Sequence, residues 1–153
     1  METKAFKFTE LSPVEETPGF FKGLASVYNV VDAQNDVVLP GAFGIVGGRR
    51  VKILYNHQPT EPIGFGMLED GPDALRIVEG QLELELATAR DTWVRMRKGL
   101  VDGLSIGYET VKDHIRKDGV RELIEVKLWE VSLVTFPANT LSRVTTVKSD
   151  AAR

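Results

Sequence analysis

Apolar residues along this chain recur mainly at every second position, the spacing of strands that bury one face and wet the other. Leu82, Leu84 and Leu86 alternate with Glu83 and Glu85, and Ile124, Val126 and Leu128 alternate with Glu125 and Lys127. The pattern predicts strands over Ala5–Leu11, Phe20–Val31 with a brief resumption at Val37–Leu39, Val51–His57, Ile63–Leu68, Leu75–Leu86, Gly103–Tyr108, Leu123–Phe136 and Arg143–Lys148. Turn chemistry separates them: two prolines bound the stretch Ser12–Gly19, polar clusters fill Asp32–Asp36 and Glu69–Asp73, and Asp118-Gly119 favours a hairpin. Pro40–Phe43 suits a short helix or a turn, and Gly44–Gly48 a loop.

One convincing helix begins near Thr88, where Thr88-Ala89-Arg90-Asp91 resembles a capping box; it carries Trp93, Met96 and Leu100 on one stripe, and Gly99 marks its stop. Arg95, Arg97 and Lys98 complement the negative end of the helix dipole, so that cluster is given no binding role. Trp93 either packs in the core or offers an anchor for self-association. Many strands, few helices and no βαβ alternation give a mainly β (α+β) fold, as a sandwich or, preferably, a closed or partly closed β-barrel with few flanking helices. The chain forms a single domain over residues 1–153, with a frayed tail from about residue 149.

The same alternation singles out two polar residues. Ser105 lies between Gly103 and Gly107 and faces away from the core, either as an exposed nucleophile or as a small filler in a tightly packed strand. Continued alternation from Ile124 puts Glu130 on the apolar face, where a carboxylate needs a partner. A bulge between Leu128 and Val131 would instead turn it to solvent.

Composition narrows the chemistry. The 153 residues contain no cysteine, which removes disulfides and thiolate chemistry and makes the cytosol the default compartment. Nineteen basic and 22 acidic residues are interspersed, with no basic stripe, so nucleic acid is disfavoured as a partner. No apolar run approaches the roughly 18 residues of a membrane helix, and a soluble protein without a membrane partner is expected. Two separated histidines make no familiar metal-ligand spacing, and no Gly-rich loop leads into a helix, so neither metal nor cofactor is implied.

With only His57 and His114 present, the search for a base is short. His114 falls in a charged turn and reads as a surface residue, while His57 closes an apolar strand beside a Pro-rich loop. Serine hydrolysis needs a hydroxyl, an imidazole base, a group that orients the imidazole, and oxyanion donors. Ser105, His57 and Glu130 are the candidates for the first three roles. Gly103-Leu104-Ser105-Ile106-Gly107 also matches the G-x-S-x-G elbow, but neither the alternating α/β framework nor a suitably placed later histidine accompanies it.

Four stretches in order resemble the prohead maturation proteases of tailed bacteriophages. They are Val27–Asp32 with Asp36–Phe43, Tyr55-Asn56-His57 running to Pro62-Ile63-Gly64, Gly103–Tyr108, and Glu130–Asn139. That family is distantly similar to the herpesvirus assemblin serine proteases, which use a histidine base on a β-barrel. The resemblance implies His57 as base, Ser105 as nucleophile and Glu130 where the herpesvirus enzymes have a second histidine. Asn139, or backbone N–H groups, would serve the oxyanion. It further implies a serine endopeptidase that cuts scaffolding segments of phage capsid proteins, and itself, inside the immature capsid in the host cytoplasm. Capsid and scaffolding proteins are then its substrates and a homo-oligomer such as a dimer its form. The competing readings are an inactive scaffold or capsid-packing module on the same barrel, and an unrelated small β-barrel binding domain.

Overall fold

The computed structural model of the chain describes residues 2–7, 18–136 and 144–147. Among the described residues, alternating apolar runs become nine strands and the one amphipathic stretch becomes a helix, in the order β1 (Glu2–Lys7), β2 (Phe20–Val27), β3 (Asp36–Val38), β4 (Arg50–Tyr55), β5 (Pro62–Asp70), β6 (Ala74–Leu82), α1 (Ala87–Arg97), β7 (Gly103–Ile115), β8 (Arg121–Val134) and β9 (Val144–Val147). All nine strands join one sheet, with the path β1-β7-β8-β4-β5-β6-β2-β9, while β3 pairs separately with β8. β8 is the hub, antiparallel to β7 and parallel to both β3 and β4.

β2 lies near one end of that path yet packs against β1 and β7 at the other, so the sheet curls around its apolar face. Among the described residues the hydrogen-bonded path has two ends, and the mainly β fold takes the form of a curled half-barrel. Phe21, Ile53, Ile63, Leu104 and Leu133 fill the concavity and are wholly buried. Trp93 and Met96 of α1 join the same core. Trp93 is therefore unavailable as an anchor for self-association, because burying its ring within the chain satisfies the apolar surface that a partner would have covered.

Several boundaries depart from the alternation pattern for local reasons. β2 ends at Val27 rather than Val31: Asn29 adopts φ +63°, and the Asp32 carboxylate accepts the N–H groups of Gln34 and Asp36, replacing ladder bonds with a polar turn. β6 ends at Leu82, leaving Leu84 half-buried and Leu86 exposed. No capping box forms, since Leu86 is the N-cap residue and Thr88 lies inside α1, where its hydroxyl donates to Glu61 Oε2 (2.8 Å). Gly99 (φ +74°) ends the helix in a Schellman turn, Gly99 N–H bonding Met96 C=O and Leu100 N–H bonding Arg95 C=O. Leu100 thus falls beyond the helix and is exposed instead of sharing the apolar stripe. β7 continues to Ile115 through residues expected to form a turn, which shrinks to a tight reversal around Gly119. The predicted first strand beyond Lys7, the loop before Pro18 and the tail from residue 148 lie outside the described residues.

An ion-pair hub fastens three strands of the sheet. Arg121 of β8 binds Asp36 through two nitrogens (3.0 and 3.1 Å) and reaches Glu2 of β1 (2.8 Å), so one guanidinium joins β1, β3 and β8. Burial opposes ionisation of Glu2, but hydrogen bonds from Thr110 and Arg121 outweigh it and hold the carboxyl below its ordinary range.

Candidate active site

At the end of β4 the chain reverses through Asn56 and His57, which have φ values of +49° and +60°. Gln58 N–H donates to Tyr55 C=O (3.0 Å), so positive φ at both central positions gives the pattern of a type I′ turn. Asparagine tolerates this region. Histidine does so at a cost of roughly 1–2 kcal/mol, and surrounding bonds must hold it there. Asn56 N–H donates to Leu133 C=O (3.1 Å) and His57 N–H to Ser132 Oγ (2.9 Å), both on β8. The loop beyond is tied by Tyr55 N–H to Glu61 C=O (3.1 Å), and Thr88 links Glu61 to α1. His57 thus follows a strand rather than ending it, because the left-handed turn aims its ring back over the sheet.

The antiparallel register of β7 and β8 sets Ser105 opposite Ser132 and Gly107 opposite Glu130. The next pair is Tyr108 with Leu128, which leaves Trp129 as an extra residue in β8. A bulge therefore does fall between Leu128 and Val131, yet Glu130 is only 4% exposed while Trp129, at 46%, takes the outward position. The bulge thus moves Glu130 off the face of Leu128 and onto the face shared by Ser105 and Ser132, where it is buried and not turned to solvent.

These elements bring three side chains into a line. His57 Nε2 lies 2.5 Å from Ser105 Oγ, and His57 Nδ1 lies 2.5 Å from Glu130 Oε1. Ser132 Oγ donates to the other carboxylate oxygen, Glu130 Oε2, at 2.7 Å. An ionised carboxylate only accepts, so Nδ1 must carry the ring proton, leaving Nε2 free to accept from the Ser105 hydroxyl. This is the tautomer in which the imidazole can take a proton from Ser105 and pass it to a leaving group.

Ser105 alternates with the core residues Leu104 and Ile106 as expected, but it is only 1% exposed, so its hydroxyl is not the exposed one anticipated. β1 pairs with β7 on one side, Ala5 opposite Ser105, and β8 flanks the other, so the first part of β7 is covered on both edges. Ser105 lines a cleft of about 480 Å³ together with Thr3, Gln34, Tyr55, His57 and the residues from Leu133 to Phe136. Gly103 begins β7 and the strand runs on through Gly107, so Ser105 stands within a strand and not at a strand-to-helix elbow. His114 lies on the exposed far end of β7, away from this line. Asn139 falls outside the described residues. Among the described residues no cluster of three or more His, Cys, Asp or Glu side chains could hold a metal ion.

Ser132 was not singled out by sequence reasoning, although one signal for it exists. It is two residues beyond Glu130 and so shares its face of β8, but a serine in an apolar run is indistinguishable from a small filler until the register is known.

A family model described as caudovirus prohead serine protease matches residues 6–153. The chain belongs to that family. Its relatives include the prohead protease of Enterobacteria phage HK97, 34% identical over 97% of this chain and 69% of the relative. A capsid polyprotein of Pseudomonas phage PAJU2 is 28% identical over 95% of this chain but only 22% of its own length. Among solved structures, the bacteriophage T4 capsid assembly protease superposes with a TM-score of 0.63 over 87% of this chain and 94% of that one. At 15% identity that likeness carries the fold alone. The curled, mostly β framework is thus a prohead protease fold, and the chain is a protease associated with capsid maturation. No helix among the described residues is long and apolar enough to cross a membrane.

Proposed function

We propose that this prohead protease is a serine endopeptidase in which Ser105 is the nucleophile, His57 the general base and then acid, and Glu130 the group that orients and electrostatically supports His57. The observation that carries the reading is the unbroken line Ser105–His57–Glu130, with both contacts at 2.5 Å, opening onto a cleft. Ser105 Oγ attacks the carbonyl carbon of a peptide bond as its proton passes to His57 Nε2. The tetrahedral intermediate collapses with transfer of that proton to the departing amine, giving an acyl-enzyme. Water, deprotonated by His57, then attacks the ester and returns Ser105 to its starting state. Glu130 stays ionised throughout and stabilises the transient imidazolium.

The substrates are scaffolding segments of phage capsid proteins, and the chain itself, cut during prohead maturation inside the immature capsid in the host cytoplasm. The relatives' names support this assignment, as does the occurrence of a matching stretch within a capsid polyprotein. Asn139 and backbone N–H groups are the candidates for the oxyanion. The curled sheet suits the herpesvirus-protease-like plan implied by the sequence resemblance, and a homo-oligomer remains part of the reading, without Trp93 as its anchor. Co-expression with the capsid and scaffolding proteins of the same phage tests it: the parent should process them, Ser105→Ala and His57→Ala should not, and His114→Ala should match the parent. Processing by Ser105→Ala at the parental level would overturn the serine mechanism.

A further inference from the structure

We propose that Ser132 is a positioning residue of the cleavage machinery, a clamp that fixes both the backbone and the ring of His57 through a single hydroxyl. The inference rests on the serine-protease reading of Ser105, His57 and Glu130. Ser132 Oγ accepts the His57 backbone N–H at 2.9 Å and donates its own proton to Glu130 Oε2 at 2.7 Å, while Glu130 Oε1 contacts His57 Nδ1 at 2.5 Å. The three contacts close a ring of interactions that leaves His57 by its backbone and returns by its imidazole.

Each link meets a specific need. His57 is held at φ +60°, a conformation that an L-residue with a bulky side chain keeps only when its surroundings impose it. The acceptor on its N–H imposes it from β8. A carboxylate bonded through one oxygen can still swing about that contact, and a donor on the second oxygen fixes its plane and hence the direction presented to Nδ1. A hydroxyl is the small group that accepts and donates at one atom, so alanine or valine can supply neither function. Register fixes the position: Ser132 stands opposite Ser105 in the β7–β8 ladder and beside Leu54 in the parallel β4–β8 ladder. The clamp is therefore built on the strand that borders both the serine strand and the strand leading to the histidine. Ser132 is wholly buried and its hydroxyl is engaged on both sides, so it does not compete with Ser105 as nucleophile.

The test compares Ser132→Thr, which keeps the hydroxyl, with the isosteric Ser132→Val, which lacks it, and with Ser132→Ala. The readout is the rate of labelling by a fluorophosphonate probe, which reports activation of the serine without a peptide substrate. Displacing His57 slightly from its productive position is expected to slow labelling on the order of 100-fold in the alanine and valine variants. The threonine variant is expected within a few-fold of the parent. In cleavage of a capsid-protein peptide, kcat should fall with KM little changed. If threonine is too large for the site, threonine and valine will be damaged alike, and the alanine variant, which removes one atom, carries the comparison. Labelling of a folded Ser132→Ala at the parental rate overturns the proposal, even if its melting temperature drops, since that outcome assigns the hydroxyl to stability alone. Ser105→Ala separates the two readings: continued labelling in that variant refutes the serine assignment itself. Loss of labelling there, with parental labelling in Ser132→Ala, refutes only the clamp.

Discussion

Replacing Glu130 by glutamine keeps the size of the side chain and removes its charge, so the consequence can be worked from its two contacts. The carboxylate accepts from His57 Nδ1 and from the Ser132 hydroxyl, and each oxygen has one donor. An amide has one accepting oxygen and one donating nitrogen. If oxygen faces Nδ1, the ring keeps its productive tautomer, but Ser132 must turn its proton away from the new N–H. If nitrogen faces Nδ1, the ring must accept there and protonate Nε2, which can no longer take the serine proton. Beyond tautomer choice, the imidazolium formed during attack loses its counter-charge. Two unit charges about 4 Å apart at an effective dielectric of about 20 attract by about 4 kcal/mol. At about 1.4 kcal/mol per factor of ten, that is a rate loss of about 10³-fold. The assay is single-turnover cleavage of a capsid-protein peptide together with fluorophosphonate labelling, and circular dichroism establishes that the variant is folded. A folded Glu130→Gln within threefold of the parent in both assays would refute the electrostatic argument and leave a Ser105–His57 dyad.

Two further predictions concern the framework. A Cβ at Gly64 would stand 2.1 Å from the Gln81 carbonyl oxygen and 3.0 Å from Leu82 Cα, both backbone atoms of the neighbouring strand, so Gly64→Ala should lose about 2–3 kcal/mol in urea unfolding. Parental stability would contradict the Gly64–Leu82 register. Tyr28 donates to Asp70 Oδ1 at 2.5 Å, and burial, followed by that hydrogen bond and the negative charge of Asp70, pushes the phenol above its ordinary value of 10. A raised phenol stabilises the fold fully below pH 10 and loses that contribution as pH rises toward the folded value, because the unfolded chain ionises first. Tyr28→Phe should therefore cost about 1 kcal/mol at pH 7 and show a shallower fall in stability above pH 10. Parallel alkaline curves for parent and variant would refute the coupling.

The parts of this protein legible in its sequence were those governed by a local period. Alternation located most of the strands, Gly99 stopped the helix, and Glu130 stood out because a carboxylate interrupted an apolar face. His57 was legible because the chain has only two histidines, and Ser105 because glycines flank it in an alternating apolar run. What escaped depends on pairing between distant segments. The burial of Ser105 follows from strands on both sides of β7, and strand pairing is not encoded in the period of β7 itself. The bulge at Trp129 was legible only as an alternative, and alternation could not foresee that an extra residue would leave Glu130 inside. Thr88 resembled a cap because its spacing to Asp91 fits one, but a hydrogen bond to Glu61, fixed by tertiary structure, captured its hydroxyl. The left-handed turn at Asn56–His57 carried no glycine to announce it.

The parallel pairing of β4 with β8 also sets a clock. Between those strands the chain must complete β5, β6, α1 and β7, so the histidine turn cannot be clamped, nor Glu130 delivered to it, until the last long strand has joined the sheet. Such non-local ladders form slowly, because the entropy of closing a long loop is lost before any contact rewards it. A chain emerging from the ribosome in N-to-C order holds His57 and Ser105 well before it holds residues 130–132. Under the mechanism proposed for Ser105, His57 and Glu130, a chain ending before β8 lacks both the carboxylate and the hydroxyl that hold the histidine.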